Sequence, residues 1–95
     1  MITHIVCFKL KDRSAENIEK CSKLLADMNG KVEMLRYIEV GTDILHSERS
    51  YDIALVTKFD SLKDLDAYQV DPVHAEVKKV LGPASESIIS VDYET

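Results

Sequence analysis

Residues Tyr51 to Pro83 read YDIALVTKFDSLKDLDAYQVDPVHAEVKKVLGP, and the order of signals within them decides the fold. YDIALVTKF alternates, with Tyr51, Ile53, Leu55, Thr57 and Phe59 on one face and Asp52, Ala54, Val56 and Lys58 on the other, and predicts a strand over 51–59. Asp60-Ser61 then opens a short helix, with Ser61 as its N-cap and Leu62, Leu65 and Tyr68 turned inward. Pro72 cannot continue that helix, but its fixed φ suits the first turn of a new one capped by Asp71. Val73, Val77, Val80 and Leu81 give this second helix a buried stripe, and Gly82-Pro83 is expected to stop it. A strand thus leads into two helices hinged at Asp71-Pro72, and the hinge carries a phenol, Tyr68, and an imidazole, His74, to one corner.

Toward the N-terminus, ITHIVCFKL predicts a strand over Ile2–Leu10. Its faces are Ile2, His4, Val6, Phe8 and Leu10 on one side and Thr3, Ile5, Cys7 and Lys9 on the other. Both are largely apolar, so both are expected to be covered. Ser14 is a good N-cap, Glu16 favours the first turn, and Ile18, Cys21, Leu25 and Met28 recur at helical spacing up to Asn29-Gly30. Val32–Gly41 reads as a strand, and Thr42–Ser50, with Leu45 and His46, as an exposed polar loop. Toward the C-terminus, Ser87–Tyr93 reads as the last strand. The order is βαββ(αα)β, a ferredoxin-like α+β pattern with a four-stranded antiparallel sheet and its helices on one face. Apolar groups on the other face call for a partner, most simply a second copy packed sheet on sheet into a barrel.

A chain of 95 residues, 45% hydrophobic and 31% charged, is the size of one domain spanning 1–95. The net charge of −5 and the lack of any basic run longer than Lys78-Lys79 argue against nucleic acid and against an anionic membrane surface. Neither a secretory pattern nor an apolar run of membrane-spanning length occurs. Cys7 and Cys21 lack metal-motif spacing and read as buried thiols rather than a disulfide, which predicts a cytoplasmic setting. The three histidines have no ligand spacing, so no metal is expected, and Gly30, Gly41 and Gly82 form no phosphate loop, so no nucleotide cofactor is expected.

The opening ITHIVCFKLKD with its His4, the strand YDIALVTKFDS, the Tyr-x-x-x-Pro-x-His spacing within LDAYQVDPVHAEV, and the ending VDYET together resemble the stress-responsive A/B barrel family of the dimeric α/β-barrel superfamily. The resemblance runs over essentially the whole chain. It implies a ferredoxin-like protomer and a homodimer whose sheets face each other. Some members are known only as stress-induced proteins. Plant relatives of the olivetolic acid cyclase type fold polyketide chains with a histidine and a tyrosine as acid–base partners. On that resemblance His74 matches the base, Tyr68 the hydroxyl and His4 a further pocket histidine, while Asp71 stands where the cyclase type carries another histidine before its proline.

The expected molecule is therefore a homodimeric barrel protein with a small-molecule pocket on the inner face of each sheet and no cofactor. As an enzyme it would be a lyase, cyclase or isomerase acting on a carbonyl compound, with His74 as general base and Tyr68 donating to the developing enolate oxygen. His4, Val6, Phe8 and Tyr37 would line the substrate site, and Val6→Asp would break the dimer. Two other readings are a non-catalytic stress-response or ligand-binding protein and a cofactor-free monooxygenase. Asp52, Asp92 and Glu94 read as solvated or capping charges, Cys7 as inert packing and His46 as a solvent-facing loop residue.

Overall fold

A computed structural model describes residues 1–95. The elements are β1 (Ile2–Leu10), α1 (Ala15–Ala26), β2 (Tyr37–Thr42), β3 (Ile53–Phe59), α2 (Leu62–Gln69), α3 (Pro72–Ala84) and β4 (Ser85–Glu94). The strands form one antiparallel sheet in the order β2-β3-β1-β4, the ferredoxin-like arrangement expected from the sequence. β1 is central because it is the most apolar strand on both faces, and it pairs along nearly its whole length with β3 and β4.

Alternation sets the layers. The register places Ile2, His4, Val6 and Phe8 of β1 on the same face as Ile53, Leu55, Thr57 and Phe59 of β3 and as Ile88, Ser90 and Asp92 of β4. The helices cover this face. Leu25, Met28, Leu65, Tyr68, Val77 and Leu81 close down on it, and Met28, Phe59 and Tyr68 are wholly buried. Each large apolar side chain so buried contributes roughly 1.5–3 kcal/mol. The opposite face carries Ile5, Cys7, Val56, Ile89, Val91, Tyr93 and Tyr37, and no helix reaches it.

The boundaries that differ most from the sequence reading are those of α1, β2 and α3. β2 starts at Tyr37 rather than Val32, because Met28 to Leu35 form successive turns that tuck Met28 and Val32 under the sheet. Gly30, at φ 82°, sits within those turns, four residues beyond the end of α1 at Ala26. α3 runs through Gly82-Pro83 to Ala84. A proline crowds the side chain before it out of helical backbone, and Gly82 has no Cβ to be crowded. Ser85 then hydrogen-bonds the Leu81 carbonyl at 2.6 Å and the chain enters β4 without a loop.

Candidate functional site: a cavity between the sheet and the third helix

The hinge between α2 and α3 builds one wall of the site. The last carbonyls of a helix have no partner within it. Here the Asp71-Pro72 break turns the chain so that α3 residues reach back to them. His74 Nδ1 donates to the Tyr68 carbonyl at 3.0 Å, and Lys78 Nζ donates to the Gln69 carbonyl at 2.7 Å. Asp71 caps α3 through the Val73 amide at 2.9 Å, and Pro72 fills its first position. The His74 ring lies flat on the Tyr68 ring, with centroids 3.9 Å apart and an interplanar angle of 14°.

The sheet builds the other wall. The antiparallel register sets His4 of β1 directly across from Asp92 of β4, and His4 Nδ1 hydrogen-bonds the Asp92 carboxylate. On the far side of β1, Thr57 Oγ1 donates to the His4 carbonyl at 3.2 Å. The His4 ring meets the Tyr68 ring edge-on, with centroids 6.3 Å apart.

Between these walls lies a cavity of about 250 Å³. Val6, Phe8 and Leu55 from the sheet and Leu25, Val77 and Leu81 from the helices make it largely apolar. His4, His74, Gln69, Lys78 and Ser90 are its polar groups. Given that roughly 150 Å³ of apolar cavity accepts benzene, this space takes a ligand of about ten non-hydrogen atoms.

The chemistry of the two imidazoles follows from their bonds. The Tyr68 carbonyl and the Asp92 carboxylate are acceptors, so in each histidine Nδ1 carries the hydrogen and a neutral ring has its lone pair on Nε2. Neither Nε2 bonds any protein group, and no buried side-chain nitrogen or oxygen lacks a partner. Both Nε2 atoms therefore open on accessible space, and the space both residues line is the cavity. Burial pushes the His74 imidazole below its ordinary value of 6.5; the bond to the Tyr68 carbonyl and, more weakly, the Asp71 charge oppose it, while Lys78 and His4 add to it. His74 is thus a neutral base in a water-poor site. No group of three or more His, Cys, Asp or Glu side chains is placed to hold a metal ion.

The structure brings four of the six expected site residues together: His4, Val6, Phe8 and His74 line one cavity. Tyr68 is adjacent but differently used. Its ring carries His74, while its hydroxyl is wholly buried and faces the Met28 sulfur at 4.0 Å. Burial first, and the Asp71 charge second, push the phenol's pKa upward, which keeps it protonated. Tyr37 is not part of this constellation. It lies on the open face, where Lys58 Nζ sits 5.1 Å from its ring centroid and its hydroxyl donates to Glu39.

The pocket itself is on the other side of the sheet from its expected position. It faces the helices because the residues that line it, His4, Val6 and Phe8, are in phase with the buried stripe of β3. Val6 therefore faces the helices rather than the open side of the sheet. Asp92, read as a solvated or capping charge, is the partner of His4. Its signal in the sequence is its phase with Ile88 and Ser90 in IISVDYE, but only the register shows that this phase meets His4. Asp52 also departs from a solvated role: only 2% exposed, it accepts from the Leu10 amide at 2.8 Å and from Arg13 at 3.1 Å. Cys7 and Cys21 are free thiols, and His46 is exposed in its loop.

The sequence matches the family model described as stress responsive A/B barrel domain over residues 2–95. A dimeric protein of unknown function and ferredoxin-like fold from Bacteroides fragilis is 33% identical and superimposes with a TM-score of 0.85, over 99% of this chain and 95% of the other. A dimeric ferredoxin-like protein from Thermobifida fusca is 23% identical, with a TM-score of 0.86 over 99% and 90% of the two chains. A hydroxynitrile lyase from Passiflora edulis is 22% identical, with a TM-score of 0.82 over 97% and 90%. None of the curated proteins matches the chain in sequence.

Proposed function

Since the chain belongs to the stress-responsive A/B barrel domain family, we propose that it is a homodimer whose protomers each use the two-histidine cavity for cofactor-free proton transfer next to a carbonyl group. The reaction class is a lyase, cyclase or isomerase step. The observation that carries this reading is the pair of imidazoles, each pinned through Nδ1 with its Nε2 free, that line one largely apolar cavity. A desolvated neutral imidazole is a competent base for a carbon-bound proton at neutral pH, and a general base of this kind contributes typically 10²–10⁴-fold. His74 takes the base role because burial keeps it unprotonated. The apolar lining suits a short alkyl or aryl carbonyl compound.

The dimer reading rests on the uncovered face, where Ile89, Val91 and Tyr93 of β4 are each about half exposed, and on the dimeric description of the Bacteroides fragilis relative. The hydroxynitrile lyase from Passiflora edulis shows that this fold accommodates lyase chemistry in another protein.

The test is deuterium exchange at the α-carbons of hexan-2-one, followed by proton NMR in D₂O. Catalysed exchange in the wild-type protein and its loss by about two orders of magnitude in His74→Gln support the reading. Ligand shifts at Val6 and Phe8 without exchange would make the cavity a binding site and sink the catalytic assignment.

A further inference from the structure

We propose that Asp92 and His4 form a proton-donor dyad that makes the sheet wall of the cavity an oxyanion subsite, so that the molecules it takes are those whose carbonyl oxygen becomes, or already is, an anion. This deepens the proton-transfer reading and shares its cavity. The two imidazoles are chemically alike but differently surrounded. The groups that face His4 are the Asp92 carboxylate from β4, the edge of the Tyr68 ring from α2, His74 and Lys78 from α3, and Thr57 of β3, whose hydroxyl holds the main chain. Asp92 is in direct contact with His4, whereas His74 hydrogen-bonds a neutral carbonyl and feels both the Lys78 cation and, more weakly, the Asp71 anion. Of the two rings, His4 is the one in contact with an anion and so the one placed to donate. Asp92 offsets its charge and holds the ring so that the second N–H, on Nε2, points into the cavity.

The step balances without a co-reactant. His74 Nε2 removes a proton from the carbon beside the carbonyl, and the C–H electron pair moves to form the enolate. The enolate oxygen takes the proton of His4 Nε2, leaving His4 neutral, His74 protonated and Asp92 unchanged. Return of a proton from His74 to carbon, and of the hydroxyl proton to His4, resets both rings. Asp92 touches no reacting atom and is a positioning residue; His4 is the donor. Tyr68, with its hydroxyl on Met28, is left as the platform under His74.

The probe is 4-nitrophenol, a ten-atom phenol whose anion mimics an enolate and is distinguished from the neutral form by its absorbance. Wild-type protein is expected to bind it as the phenolate. In Asp92→Asn the amide oxygen still accepts from Nδ1–H but carries no charge. That variant should keep the His4 Nδ1–H tautomer, read from imidazole ¹⁵N shifts, and bind phenolate about tenfold more weakly. In Asp92→Ala both the tautomer and the phenolate preference should be lost. Asp92 is exposed on an edge strand, so neither change threatens the fold. Equal phenolate affinity in Asp92→Asn, uptake of the probe only as neutral phenol or not at all, or an unprotonated His4 Nδ1 in the wild type would overturn the proposal. Failure of the proton-transfer reading shows elsewhere: hexan-2-one exchange can be absent while phenolate binding still depends on Asp92.

Discussion

His74 shows how one side chain can be placed by an interruption. Pro72 has no N–H to give the Tyr68 carbonyl its i+4 bond, and that carbonyl accepts instead from the Asp71 amide at 3.1 Å and from the imidazole six residues on. Burial then holds the folded-state pKa of His74 below the ordinary 6.5. Well above that value neither the folded nor the unfolded chain binds the proton, and the full stability is present. As pH falls through about 6.5 the unfolded chain protonates first, so the folded state loses ground until His74 itself titrates. Urea unfolding midpoints of the wild-type protein should therefore drop between pH 7.5 and 5, and part of that drop should vanish in His74→Gln. Identical pH profiles would mean that His74 does not resist protonation. The His74 position was legible in the sequence, since Tyr-x-x-x-Pro-x-His is a local pattern. The His4–Asp92 pair was not, because 88 residues separate its members and only the strand register joins them.

Among the elements, the strands and helices were readable where the signal is local: alternation in YDIALVTKF, Ser14, Ser61 and Asp71 as caps, and Pro72 as the break. Each of those caps accepts an amide hydrogen from the first turn of its helix. The failures are at places where packing outweighs local preference. Val32 to Arg36 carries apolar side chains with no clean alternation, and the turns that bury Met28 and Val32 take it out of β2. Asp52 is the most instructive case. It reads as the polar phase of an alternating strand, but it sits just before β3, where the chain passes the end of β1. There it receives the Leu10 amide and the Arg13 guanidinium. Removing one member of such a buried set strands the others. Asp52→Ala is expected to cost about 3 kcal/mol in chemical unfolding, and Arg13→Ala less, because Arg13 is 38% exposed and can rehydrate. An Asp52→Ala protein as stable as the wild type would show that the Leu10 amide finds another acceptor.

At the scale of the whole molecule, the sheet separates two surfaces of different purpose. One is closed by helices and holds the cavity; the other presents Ile5, Cys7, Val56, Ile89, Val91 and Tyr93 to whatever packs there. Light scattering on a sizing column is expected to give twice the chain mass of 10.7 kDa. Val91→Asp places a charge in the middle of that surface and should yield a folded monomer, since Val91 is 58% exposed in the single chain. A Val91→Asp dimer would place the contact elsewhere. The two surfaces are only one residue apart along the chain. His4, Val6 and Phe8 of β1 serve the cavity, and Ile5 and Cys7 between them serve the open side. The strand therefore has the equivalent of a reading frame. Deleting one residue between His4 and Phe8 would turn part of the strand over. Thiol and isoleucine would then face the ligand, and the proton donor would be presented to another chain. Point substitutions can reshape either surface separately, but an insertion or deletion within β1 cannot alter one without rewriting the other.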